Sequence, residues 1–301
     1  MFEQFQDRFV DVSDGQMFCR IGGDGPPLLL IHGYPQTHVM WYLCAGRLAE
    51  HFTVIAADIR GYGQSLIAPR NDSGDPAHNA YSKRKMAQDM VEMMAALGHD
   101  RFFVAGHDRG GRVAHRMARD HRKAVAALSV LDICPTLDMY EATDMDFATA
   151  YFHWYFLIQP YDLPERMIMD DPRAWMDACL QKWSGGHTFG EAEEAYIAAF
   201  QQPDRIHASC EDYRAAATID LDHDRADRDA KLDIPIHVLW GGNGVVGRKF
   251  DVLDVWQRYS TLPVTGRAMP TGHFIPEEDP DGTVDELIRF FGAQSFSQSS
   301  S

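Results

Sequence analysis

Five short stretches of this chain, residues 27–31, 53–57, 102–105, 126–131 and 234–240, are nearly all apolar, and helical patterns separate most of them. Runs this short and this unbroken predict strands covered on both faces, as in a mostly parallel sheet. Residues 4–12 and 16–21, on either side of Ser13-Asp14-Gly15, read instead as a hairpin at a sheet edge. Residues 86–97 carry apolar side chains at helical spacing and end at Gly98, a suitable C-cap before the next strand. Such alternation predicts the α/β class with a doubly wound, mostly parallel sheet. From Pro135 to about His223 it lapses into aromatic, mostly helical sequence, including Tyr151-Phe-His-Trp-Tyr-Phe156 and Glu211-Asp-Tyr-Arg214. The expectation is an inserted helical cap whose aromatic helices close a water-poor pocket over the strand ends. The chain then divides into core at 1–136, cap at 137–222, core at 223–292 and a Ser- and Gln-rich tail at 293–301, expected to be disordered and to carry no chemistry.

Composition narrows the setting. A length of 301 residues with 45% hydrophobic content suits one large core with an inserted lobe. Cys19, Cys44, Cys134, Cys179 and Cys210 are scattered without Cys-x-x-Cys spacing, against a zinc site or a disulfide framework and in keeping with a reducing cytoplasm. The first residues lack a basic n-region, and no apolar run approaches a membrane span, so a cytoplasmic protein is expected. The net charge of −16 excludes nucleic acid and acidic membranes as partners and disfavours an anionic substrate globally. Any carboxylate ligand must therefore be held by local positive charge inside a cleft. No metal and no organic cofactor is expected: His-Glu-x-x-His and comparable arrays are missing, and Gly22-Gly-Asp-Gly25 lacks the strand-then-helix context of a nucleotide loop.

The chemistry concentrates in Val104-Ala-Gly-His-Asp-Arg-Gly-Gly-Arg-Val113, which reads as a strand entering a glycine-flanked elbow with Asp108 at its tip. Gly106 and Gly110 are the small neighbours such a turn needs. A carboxylate there, in place of Ser or Cys, suits displacement at an sp³ carbon, because it gives an alkyl ester that water can later cleave. That points to carbon–halogen or epoxide chemistry; the alternative is a solvated turn aspartate. Arg109 and Arg112 fall in the first turn of the following helix, where the macrodipole disfavours cations. A bound carboxylate gripped by both forks would offset that cost, unless they are ordinary surface cations. Asp132 ends a strand at the rim of the core, where it can orient a histidine or cap the segment before Pro135. Asp58 occupies a similar rim position, and fourteen histidines compete for the role of base.

The elbow, together with the turn His32-Gly-Tyr-Pro35, resembles the dehalogenase and epoxide hydrolase branch of the α/β-hydrolase family, over about residues 1–292. Within it the chain is similar to the dehalogenases of fluoroacetate and other haloacetates. Relatives acting on neutral haloalkanes or epoxides usually carry Trp directly after the nucleophile, whereas this chain has Arg109, with Arg112 beyond. The resemblance implies an α/β-hydrolase fold, Asp108 as nucleophile and, from the chain order nucleophile, acid, histidine, Asp132 and His273 as the acid–base pair. It implies that Arg109 and Arg112 anchor the substrate carboxylate and that the backbone amides of Tyr34 and Arg109 form the oxyanion hole. It further implies that His153, Trp154 and Tyr213, otherwise lid packing, donate hydrogen bonds to the departing halide, with Trp183 on the pocket wall. Asp58 and His32 are left to structural turns and His237 to the core. The implied reaction converts a short haloacid, fluoroacetate above all, to the hydroxy acid and halide through an ester on Asp108, in a homodimer. The rivals are an epoxide hydrolase recruiting Tyr151, Tyr155 or Tyr213 as proton donors, and a noncatalytic carboxylic-acid-binding protein on the same fold.

Overall fold

The computed structural model describes residues 1–68 and 77–296. Eight strands form one sheet in the order β1-β2-β4-β3-β5-β6-β7-β8, with β1 at Gln6–Val12, β2 at Gly15–Gly22, β3 at Pro27–Ile31, β4 at Thr53–Ala57, β5 at Phe102–His107, β6 at Val125–Leu131, β7 at Ile236–Gly241 and β8 at Thr265–Met269. β1 and β2 pair antiparallel and β2 joins β4 antiparallel, while every pairing from β4 through β8 is parallel. All residues of β3, β5 and β6 are buried, which is why their sequences lack alternation. The hairpin turns at Ser13-Asp14, where Val12 pairs with Gly15.

The observed bounds differ from the expected ones where local chemistry decides. The helix expected at 86–97 starts earlier, at Lys83–Ala96, because the Ser82 side chain accepts from the Lys85 amide and caps it. Gly98 sits just past its end at φ +87°, a conformation that favours glycine. β5 runs two residues further than expected, to His107, and so carries the pairing up to the elbow. Between β6 and β7 the chain is helical, from Thr136–Glu141 through Ile219–Ala226. The expected tail falls partly on residues 297–301, which lie outside the described residues. Phe296, before them, packs its ring on Phe103 with centroids 5.0 Å apart. Among the described residues no helix is long and apolar enough to cross a membrane.

The elbow joins β5 to the helix Arg109–Asp120 through Asp108, at φ +43° and ψ −114°. A non-glycine residue in this region is strained and persists only where its surroundings hold it. They leave no room for side chains. A Cβ on Gly106 would lie 2.4 Å from the Gly110 carbonyl oxygen, one on Gly110 2.4 Å from that of His32, and one on Gly33 2.7 Å from the Asp108 Cβ. Gly110→Ala should therefore destabilise the fold by about 1–3 kcal/mol through overpacking. Urea unfolding followed by tryptophan fluorescence reads this as a lower midpoint; an unchanged midpoint would show that the elbow relaxes freely.

Candidate active site

Asp108 is the centre from which the site is built. Its side chain is buried, its Oδ2 accepts the Tyr34 amide at 3.0 Å, and its own amide donates to the Leu131 carbonyl at 3.1 Å. Burial alone would raise a carboxyl pKa, but the nearby charges of His273, Arg112 and Arg109 prevail and hold Asp108 at about 2. It is thus ionised in a place that water barely reaches. Tyr34 follows β3 in the loop that Gly33 lets approach the elbow, and Arg109 begins the helix, where first-turn amides lack intrahelical acceptors.

Asp132 and His273 meet beside it. Asp132, at the end of β6 with φ +53°, accepts His273 Nδ1 at 2.6 Å on one oxygen and the Gly241 amide at 2.9 Å on the other. With Nδ1 engaged, Nε2 is the free nitrogen. Burial depresses the imidazole pKa, but the Asp132 hydrogen bond and charge outweigh it, and His273 stands above 6.5. Its loop is clamped from three sides: the His273 amide donates to the Trp183 carbonyl at 2.8 Å, the Gly272 and Phe274 amides donate to Glu278 at 2.6 and 2.9 Å, and His107 Nε2 lies 2.7 Å from the His273 carbonyl. Burial drives His107 down to about 3, so it is neutral and donates there without competing as a base.

The two arginines turn out unlike each other. Arg109 Nε and Nη2 grip the two Asp212 carboxylate oxygens at 2.9 and 2.7 Å, Nη2 also reaches the Asp212 carbonyl at 2.8 Å, and the guanidinium lies 4.1 Å over the Tyr213 ring. Arg109 is thus not a surface cation, and the offset expected from a bound carboxylate comes, within the chain, from Asp212. Arg112 bonds the Cys134 carbonyl, Thr136 Oγ1 and Met139 Sδ, lies 4.8 Å over Trp154, and among the described residues forms no ion pair. Both keep one buried nitrogen without a partner among those residues, Nη1 of Arg109 and Nε of Arg112.

The helical region supplies the rest. Tyr213 Oη, His153 Nδ1 and Trp183 Nε1 are buried and likewise unpartnered. Their rings form one cluster with Tyr34: His153 lies 4.3 Å from Trp183, 5.6 Å from Tyr213 and 6.1 Å from Tyr34, and Trp183 lies 5.9 Å from His273. Trp154 joins less directly, through Arg112 and through Tyr151, which stacks on it at 5.7 Å and meets His153 edge-on. Tyr155 turns elsewhere and bonds Thr143 Oγ1 at 2.7 Å. Reading the sequence missed Asp212, His107, Glu278 and Trp175, whose indole N–H donates to Tyr34 Oη at 2.6 Å. Among the described residues no group of three or more His, Cys, Asp or Glu could hold a metal ion.

Known proteins share this arrangement of elements. Residues 26–280 match the alpha/beta hydrolase fold family. The chain is 43% identical over 294 residues to a fluoroacetate dehalogenase of a Burkholderia species, a match covering 96% of this chain and 95% of that protein. It is 33% identical over 274 residues to a soluble epoxide hydrolase of Corynebacterium sp. strain C12, covering 89% and 91%. A solved structure from Nostoc sp PCC 7120 is 49% identical with a TM-score of 0.92, and the match covers 97% of this chain and 100% of that one.

Asp132→Asn removes the charge and keeps the shape that hold the His273 proton, while burial stays. The His273 pKa should fall from above 6.5 in the native chain as desolvation becomes the larger influence. Nitrogen-detected NMR titration of the imidazole measures it; an unmoved value would show that Asp132 does not set this proton.

Proposed function

We propose that this chain, which belongs to the alpha/beta hydrolase fold family, hydrolyses the carbon–halogen bond of a short haloacid, with fluoroacetate as its foremost substrate. The observation that carries this is an ionised, buried carboxylate flanked by two buried guanidinium groups, each with one nitrogen unpartnered among the described residues, near the Tyr213 hydroxyl and the His153 and Trp183 ring nitrogens, which are likewise unpartnered there. The 43% identity to a fluoroacetate dehalogenase supports it.

Arg109 and Arg112 take the substrate carboxylate and turn its α-carbon toward Asp108, replacing orientational entropy with binding. An Asp108 oxygen forms a bond to that carbon from behind as the carbon–halogen bond breaks, and the electron pair leaves with the halide. Tyr213, His153 and Trp154 donate to the departing halide, an interaction that grows with its charge and so favours the transition state over the ground state. Neutral His273 then takes a proton from water, and the hydroxide attacks the carbonyl carbon of the Asp108 ester. The amides of Tyr34 and Arg109 hold the oxyanion until the bond from the ester carbonyl to the alkoxide oxygen breaks. The hydroxy acid departs with the proton from His273, and Asp108, left as its acid, loses the second proton of the water to solvent and is ionised again.

The 33% identity to an epoxide hydrolase favours a second reading on the same nucleophile. It needs a pair of cap tyrosines turned to the substrate; of Tyr151, Tyr155 and Tyr213, Tyr155 is bonded to Thr143 instead, while the Tyr213 hydroxyl is unpartnered among the described residues. Fluoroacetate, a neutral haloalkane and a neutral epoxide separate the readings. Fluoride release from the first, abolished by Asp108→Asn, is expected; turnover of the epoxide alone would overturn the assignment.

The two carboxyl and imidazole pKa shifts predict how the halves of the reaction divide with pH. Asp108, at about 2, stays ionised in mild acid, whereas His273, raised above 6.5, is already protonated and useless as a base. Near pH 5.5, about one unit below an ordinary histidine pKa, displacement should continue while hydrolysis stalls. Intact-protein and peptide mass spectrometry after acid quench should find the ester on Asp108; unmodified protein with undiminished turnover would contradict this division.

A further inference from the structure

Asp212 lies on the helix Pro203–Ala217 of the region between β6 and β7, one residue before Tyr213, yet the described groups that bond its carboxylate all come from the other side of the site. Arg109 holds both oxygens, Tyr62 Oη donates to Oδ2 at 2.8 Å, and Lys83 Nζ donates to Oδ1. Lys83 also meets Asp220, through Nζ at 3.4 Å and its amide at 2.9 Å. All four charged groups are buried, and two cations against two carboxylates leave the cluster neutral.

This neutrality separates charge from direction. The fork of Arg109 commits its Nε–Nη2 edge to Asp212, and the Tyr213 ring covers a face, so the guanidinium is held from turning and, among the described residues, Nη1 alone is left to donate. An arginine free to rotate would lose rotamer entropy on binding; here the fold has already removed that freedom. Arg112, with no ion pair among the described residues, keeps its charge for a ligand. We propose that Asp212 is a positioning residue: it aims Nη1 of Arg109, unpartnered among the described residues, at the substrate carboxylate and offsets much of that arginine's charge, so that Arg112 supplies most of the attraction and Arg109 the alignment.

This rests on the proposed reading that the arginines bind a haloacid carboxylate, and the variants distinguish the two. Asp212→Asn keeps the shape but frees the fork. Its kcat on fluoroacetate should fall on the order of 10–100-fold, the loss typical of a substrate displaced by about 1 Å. The inhibition constant of acetate, an unreactive carboxylate held by the charge of Arg112, should not weaken. Lys83→Met combined with Asp212→Asn removes one charge of each sign and should recover thermal stability without recovering kcat, which decides the matter even where the single variant folds poorly. Unchanged kcat in Asp212→Asn, recovery of kcat with stability in the double variant, or acetate affinity lost in parallel with kcat would overturn the positioning role. If Arg109→Leu leaves fluoroacetate turnover intact, the carboxylate clamp itself falls and Asp212 with it; a crippled Arg109→Leu beside an intact Asp212→Asn overturns only the role of Asp212.

Discussion

Keeping one carboxylate ionised where water is scarce sets the terms for the rest of this molecule. An isolated buried carboxylate would take up a proton to escape its desolvation cost. Asp108 stays charged only because His273, Arg112 and Arg109 face it and the Tyr34 amide bonds it. These groups come from the loop after β3, the elbow helix and the loop after β8, so the whole parallel sheet is needed to bring them together. The positive φ of Asp108 belongs to the same requirement, because it lifts the side chain off the sheet toward those partners, and Gly33, Gly106 and Gly110 are the room that this lift demands.

The helical region is part of that arrangement and not a passive cover. Its Asp212 fixes Arg109, its Trp183 carbonyl holds the His273 amide, and its Trp175 bonds the hydroxyl of Tyr34. Each contact lands on a residue that faces or bonds Asp108. A displacement of these helices would disturb Arg109, His273 and Tyr34 together, which couples the surroundings of Asp108 to how the helices sit on the strand ends.

Much of the fold was legible because burial on both faces writes itself into short apolar runs, and β3 and β4 begin and end where those runs do. The elbow was legible because its glycines have to be adjacent in sequence. Asp212 was not: it pairs with Arg109 across 103 residues, and a long-range ion pair has no period. Glu211-Asp-Tyr-Arg214 offered an acid beside an aromatic residue, but not which of its members would turn inward. The need of Arg109 for a counter-charge was legible from its place in the first turn of a helix, but a carboxylate arriving from another helix leaves no mark in sequence spacing. His107 was hidden for a different reason, since its neighbour in sequence drew the chemistry and its own partner is a backbone carbonyl.

The unpartnered groups above Asp108 are costly to a folded chain. Each buried donor or acceptor without a partner forfeits about 1–3 kcal/mol, and Tyr213 Oη, Trp183 Nε1, Arg109 Nη1 and Arg112 Nε all stand so among the described residues. Burial holds His153 far below its ordinary pKa, so it is neutral and carries one N–H, not two. A sequence selected only for stability would put apolar side chains at these positions. Their retention makes sense where a charge arrives that water cannot follow, and in the proposed reaction two charges do: the carboxylate at the arginines on binding, and the halide beneath the aromatic cluster as the bond breaks. The carboxylate's donors act in ground and transition states alike and so govern binding. The halide's donors gain most as the charge appears, and the stability given up in holding them unsatisfied becomes a lower barrier.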